Sequence, residues 1–308
     1  MKNNQDRWIK IEIKAAAELI DPLSNYLTEI DAEGFYQDLP VTPADEIILD
    51  IAQQLTAYLA DDDTYPSKIS SLKEYIRSLA AIFPERQAAL VSAESVDGLD
   101  WGEEWKKYFK PFRIGRHLVI KPSWEAYEPG NEDLMITLDP GMAFGTGQHA
   151  TTRMCLEALE MLLDGRDDLE TFRVLDVGTG TGILAVYAAK LGAGQVTGID
   201  IDSVALAIAR ENAKSNAVGW IQFLERPIMN IQPSFDLILA NLTSRPLIEL
   251  RPFFQSLLAA RGQLVISGIL AQEREEMEAG FLLPPFNNYQ VLAQEEWLCF
   301  HCRTGETK

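Results

Sequence analysis

The stretch from Val174 to Asp202 constrains this 308-residue chain more than any other. Val174-Leu-Asp-Val-Gly-Thr-Gly-Thr-Gly-Ile183 is an apolar run ending in Asp176, then glycines alternating with threonines, then a helix-forming segment to Leu191. A second apolar run, beginning at Val196, ends in Asp200. Strand, tight glycine turn, helix and a second strand with an acidic tip are the parts of a nucleotide-binding βαβ unit. A carboxylate at that tip suits a ribose, whose two hydroxyls can both donate to it.

The glycine spacing bears on which nucleotide. A dinucleotide fingerprint reads G-x-G-x-x-G, so that a pyrophosphate rests on the helix N-terminus. Here the glycines are Gly178, Gly180 and Gly182, position 183 is Ile, and the charge of Asp176 discourages a phosphate. A ligand with a ribose and no phosphate fits better. S-adenosylmethionine, and hence a methyltransferase, is the leading reading, with a dinucleotide enzyme as the competitor.

Length and composition add bounds. The chain is long enough for two domains, each with its own core. No apolar run approaches the ~20 residues of a membrane span, and Met1-Lys-Asn-Asn-Gln-Asp6 does not read as a secretory leader. Three cysteines argue against a disulfide framework, and we expect a cytoplasmic enzyme. Cys299-Phe-His-Cys302 has the spacing of half a zinc site. It lacks a second pair and alternates like a strand, so no metal is expected. The net charge is -19, and residues 15–105 hold 19 Asp or Glu against 4 Lys or Arg. Such a surface repels nucleic acid and anionic membranes and attracts basic polypeptides, although solubility alone also explains it.

Along the chain, the periodicity predicts a strand over Arg7–Lys14, a helix over Ala15–Ile30 and a strand over Phe35–Leu39. Residues 44–60 are ambiguous: the front half reads as helix after Thr42-Pro43, while Leu55–Leu59 alternates like a strand. A helix over Ser67–Phe83 and a strand over Ala88–Val96 complete a βαββαβ order, a ferredoxin-like α+β arrangement. Trp101, Trp105, Tyr108 and Phe109 then lie on one face of a short amphipathic linker helix, a packing stripe or, alternatively, a substrate grip. Strands over Leu118–Lys121 and Leu134–Leu138 lead into Asp139-Pro-Gly-Met-Ala-Phe-Gly-Thr-Gly-Gln-His-Ala-Thr-Thr152 and a helix from Arg153. Phe144 is placed to cover an adenine or sulfonium face. Thr151 and Thr152 sit where N-cap or first-turn hydroxyls face a pocket. The remaining elements complete a doubly wound sheet, at whose strand tips Asp176, Asp200 and Asn241 should converge. His149 is either a proton relay or a loop support. His117 and His301 read as structural strand residues.

These motifs, together with Asp100-Trp-Gly-Glu-Glu-Trp105, Pro122-Ser-Trp124, Ala240-Asn-Leu242 and Leu264-Val-Ile-Ser-Gly-Ile-Leu270, resemble the bacterial ribosomal protein L11 methyltransferase (PrmA) family. The resemblance spans nearly the whole chain and is poorest over residues 40–70. The family usually has Cys where this chain has Thr179, and Pro where it has Ala150. It implies a Rossmann-like Class I methyltransferase domain at residues 113–304, a linker at 98–112 and a smaller N-terminal substrate-recognition domain at 1–97. It also implies S-adenosylmethionine as cofactor, contacted by Thr152, Gly178, Asp200 and Asn241, to which the residue reading adds Gly180 and Phe144. The implied substrate is a basic ribosomal protein, methylated on lysine and N-terminal amines; the acidic charge adds the expectation that it docks before ribosome assembly, since bound RNA would compete. Asn241 is the candidate for orienting the amine. A different target protein, or a non-catalytic S-adenosylmethionine-binding module, are the alternatives.

Overall fold

The computed structural model describes residues 7–16, 32–38, 53–82, 88–97, 109–139, 145–232 and 234–304, with single positions between 19 and 30. They fall into two units, one up to Phe109 and one from Lys110. The expected linker helix lies largely outside the described residues, as do Phe144 and the ambiguous start of the 44–60 segment.

In the first unit, alternation produces the sheet. Strand β1 (Arg7–Ala15) buries Ile9, Ile11, Ile13 and Ala15 on one face. It lies between β3 (Gln53–Ala60) and β4 (Ala88–Asp97), antiparallel to both, and β2 (Glu33–Asp38) pairs with the far side of β3. Helix α1 (Tyr65–Ile82) sends Ile69, Leu72, Ile76 and Leu79 onto the buried face, beside the helical Leu19, Leu23 and Leu27. The order β2-β3-β1-β4 is that of the expected split βαβ arrangement.

The second unit opens with a small sheet of β5 (Phe112–Ile114), β6 (Leu118–Lys121) and β7 (Leu134–Thr137). The main sheet has seven strands: β8 (Arg173–Val177), β9 (Gln195–Asp200), β10 (Gln222–Glu225), β11 (Phe235–Asn241), β12 (Leu258–Leu270), β13 (Tyr289–Gln294) and β14 (Trp297–Arg303). Their order is β10-β9-β8-β11-β12-β14-β13. The first five are parallel; the terminal hairpin inserts β14 antiparallel beside β12. This is the Rossmann-like sheet expected from the sequence, with its switch point between β8 and β11.

Helices α2 (Ala150–Leu163), α3 (Ile183–Lys190) and α4 (Ser203–Ser215) share one core with Val174, Val196, Leu237, Leu239 and Val265. Helices α5 (Ser244–Leu257) and α6 (Arg274–Gly280) share the other with Leu175, Ile199, Ile238, Ala240 and Ile266. Side chains alternate along a strand, so Asp176, Asp200 and Asn241 all belong to the face that carries α2. Cys299 joins the first core and Cys302 the second, on opposite faces of the sheet. They cannot hold one metal, and the described residues contain no cluster suited to one. His301 is a strand residue as expected, kept neutral by burial that pushes it down to about 4. His117 is not: it lies in the turn between β5 and β6.

Candidate active site

The turn from β8 into α3 spends its own amides. Gly178 and Thr179 both donate to the Ile199 carbonyl, at 2.9 and 3.0 Å, and Gly182 donates to the Thr179 carbonyl at 2.8 Å. Gly180 donates to Oδ2 of Asp200 at 3.0 Å. A pyrophosphate would find these four amides engaged, whereas a dinucleotide turn aims its amides at the ligand. Gly178 has φ +70°, and a Cβ there would lie 2.7 Å from Cδ2 of Leu242. Only glycine lets the turn pass so close beneath the tip of β11.

Asp200 stands at the tip of β9, with Oδ1 accepting from the Asp202 amide at 3.0 Å. Each carboxylate oxygen keeps a lone pair for a further donor. The next residue, Ile201, is 83% exposed. An apolar side chain left in solvent beside a hydroxyl-binding acid is what a nucleoside requires, with a flat base adjoining its ribose.

Asp176 is the most unusual group. It is 1% exposed, and Oδ2 accepts from the Thr179 hydroxyl at 2.6 Å. Oδ1 has no protein partner. Burial raises this carboxyl to about 7, opposed by the Thr179 hydroxyl and the Ala185 amide and reinforced by the charge of Asp200. A buried, half-satisfied acid without a cation beside it asks for a positively charged ligand.

At the tip of β11, Nδ2 of Asn241 donates to the hydroxyls of Thr151 (3.1 Å) and Thr152 (3.3 Å). The Thr151 hydroxyl lies 2.7 Å from Nδ1 of His149, which also accepts from the Thr151 amide at 3.4 Å as the N-cap of α2. His149 makes a loop-supporting contact here, and Thr151 and Thr152 occupy the first turn. With Nδ2 committed twice, the Asn241 amide has one orientation, leaving Oδ1 as its acceptor. Gly268 (φ +86°) lets β12 approach, since a Cβ there would fall 2.5 Å from the Leu242 carbonyl oxygen. The preceding glycine segment is tied in by the Thr181 hydroxyl, which donates to the Gly145 carbonyl at 2.6 Å.

The structure therefore brings Thr152, Gly178, Gly180, Asp200 and Asn241 to neighbouring strand tips on one face. The sequence reading gave no role to Thr179 and Thr181, although both stand in the glycine turn that it singled out. An open cavity of about 430 Å³ lies at the other end of the sheet, lined by Asp168, Thr171, Phe172, Arg173, Gln195 and Asp236. Its polar groups pair among themselves, as where the Arg173 amide donates to Asp236 at 2.9 Å.

A family model described as "Ribosomal protein L11 methyltransferase (PrmA)" matches residues 7–305. The chain belongs to this family. It is an S-adenosylmethionine-dependent methyltransferase, and the dinucleotide reading is set aside. A Ribosomal protein L11 methyltransferase from Pelobacter propionicus is 38% identical over 296 residues, covering 95% of this chain and 96% of its own length. One from Desulfitobacterium hafniense is 41% identical over 237 residues, 76% of this chain and 74% of its own. The crystal structure of a ribosomal protein L11 methylase from Lactobacillus delbrueckii subsp. bulgaricus is also similar. It matches at TM-score 0.56 and 34% identity, covering 64% of this chain and all of that one. The site of this methyltransferase fits the donor on its own geometry: an orphaned buried carboxylate oxygen for positive charge, and a ribose-compatible acid flanked by an exposed apolar side chain.

Proposed function

We propose that the chain methylates lysine side-chain amines and the N-terminal amine of ribosomal protein L11, with Asn241 orienting the amine. The observation that carries this reading is the Asn241 amide, locked through Nδ2 by two threonine hydroxyls. When bound, S-adenosylmethionine supplies an activated methyl group on a cationic sulfur. The remaining task is to present a neutral amine in line with it. A free lysine has a pKa of about 10.4 and an α-amine about 7.7–8.0, so the site must favour the deprotonated form. Oδ1 of Asn241, a neutral acceptor, takes a hydrogen bond from the amine without trapping it as a cation, as a carboxylate would. Thr152, Gly178, Gly180, Asp200 and Asn241 hold the donor, with Phe144 assigned to its base or sulfonium face. No side-chain nucleophile and no metal is called for.

Residues 1–97 serve as the substrate-recognition domain and 98–112 as its linker. Between residues 15 and 105 the excess of acids gives a net charge of -15. We assign that charge to capturing a lysine-rich target in the cytoplasm before ribosome assembly, because bound RNA would compete and repel. No described helix is long and apolar enough to cross a membrane. The test is methylation of free L11 as a function of ionic strength. The apparent KM should rise about 10-fold between roughly 50 and 300 mM salt, with kcat little changed. Lysine substitutions at Asp61, Asp62 and Asp63 should reproduce that rise at low salt. A KM indifferent to both salt and charge reversal would dispose of electrostatic docking.

A further inference from the structure

Thr179 contacts the deepest charge in the site. Its residue is 5% exposed, and its hydroxyl is confined from two sides. It donates to Oδ2 of Asp176 at 2.6 Å, and a Cβ at Gly198 on β9 would lie 2.8 Å from the Thr179 hydroxyl oxygen. The missing side chain of Gly198 thus makes the room in which the hydroxyl sits.

The groups facing Asp176 supply no compensating charge. Asp200 on β9 is another acid, and Cys155 on α2 is a thiol pushed up by its hydrogen bond with Cys299 of β14 and by burial. Among the described residues, no cation forms an ion pair with Asp176. The donor carries two positive charges, an ammonium and a sulfonium, and its demethylated product keeps the ammonium.

We propose that Thr179 is a positioning residue for the methyl donor: its hydroxyl fixes Oδ2 of Asp176, so that Oδ1 is the one acceptor left for the donor's positive charge. The inference rests on the reading of these strand tips as the donor site. A methyl in place of the hydroxyl removes the side-chain partner of Oδ2 and leaves the carboxyl freer to turn or take up a proton, and either weakens a cationic ligand. A serine preserves the donor. A cysteine offers only a weak one.

Calorimetric titration of the full chain with S-adenosylhomocysteine, between about pH 5.5 and 8.5, tests this. Thr179→Val should bind roughly 10–100-fold more weakly at neutral pH, and its affinity should recover only at higher pH than in the unaltered protein. Thr179→Ser should restore both affinity and pH profile, with Thr179→Cys in between. Methylthioadenosine lacks the amino-acid half, so its affinity should stay within about 2-fold across the series, showing that the turn is intact. Thr179→Ala gives the same reading if the valine variant does not fold. Unchanged affinity and pH profile in the valine and alanine variants would overturn the inference while leaving the donor site standing. So would an equal loss for methylthioadenosine. Failure of the unaltered protein to bind either ligand would remove the donor reading, and the inference with it.

Discussion

At the residue scale, the site is organised by which polar atoms are already committed. The Asn241 amide is fixed by a chain running back through Thr151 to Nδ1 of His149, so that one end of α2 sets the direction of one carbonyl. Asp176 shows the opposite condition, a buried carboxyl with one oxygen unanswered. Its fate depends on pH. Burial places it at about 7, above its ordinary value, so protonation favours the folded free protein. The associated stability is full in acid, below the unfolded carboxyl's ordinary value, and is lost as pH rises through about 7. Asp176→Asn should therefore raise the unfolding free energy at pH ~8 by on the order of a few kcal/mol, and the melting temperature with it, with little effect at pH ~4. The same variant should bind the donor more weakly. A melting temperature at the higher pH equal to or below that of the unaltered protein would mean that the folded protein already balances the buried charge. Of these arrangements the sequence shows the acids and the asparagine at strand tips. It does not show that Thr179 answers one acid, because a threonine between glycines is also a common turn residue.

At the element scale, short apolar periods carried most of the information and side-chain clips carried least. The strand tips were legible because an apolar run that stops at an acid or amide marks where the chain leaves the core. Helix α2 begins at Ala150, earlier than the expected Arg153, because its N-cap is the imidazole of His149 rather than one of the usual small oxygen side chains. Strand β5 has three residues, Phe112–Ile114, too few for alternation to register. Asn216, on the C-terminal end of α4, both donates to and accepts from the Thr137 backbone of β7, at 2.7 and 2.8 Å. No local pattern announces a side chain that completes a strand 79 residues away. Glu160 of α2 is a second such clip. It is buried, and its carboxylate accepts from the Arg116 and His117 amides at 3.0 to 3.1 Å, holding the turn between β5 and β6. Glu160→Ala should cost roughly 1–3 kcal/mol in denaturant unfolding, since it leaves two partly buried amides unanswered. Glu160→Gln, which keeps an acceptor, should cost less. A neutral alanine substitution would show that the β5–β6 turn holds without this clip.

At the scale of the whole molecule, one chain joins an acidic unit of ferredoxin-like topology to a methyltransferase sheet. The two were separable in the sequence because their periodicities and charge differ: residues 15–105 carry a net charge of -15, against -19 for the whole chain. We assign the acidic surface to the basic target, and the strand tips to the methyl donor. The central claim is that these strand tips transfer methyl groups to protein amines. Its most direct test is intact-mass spectrometry of purified free L11 after incubation with the chain and S-adenosylmethionine, with the Asn241→Ala variant in parallel. Mass gains in steps of one methylene on lysine and N-terminal amines are expected, with a loss of about 100-fold or more in their rate with the variant. No mass gain from a chain that binds S-adenosylmethionine, or equal gains with and without the Asn241 side chain, would contradict it.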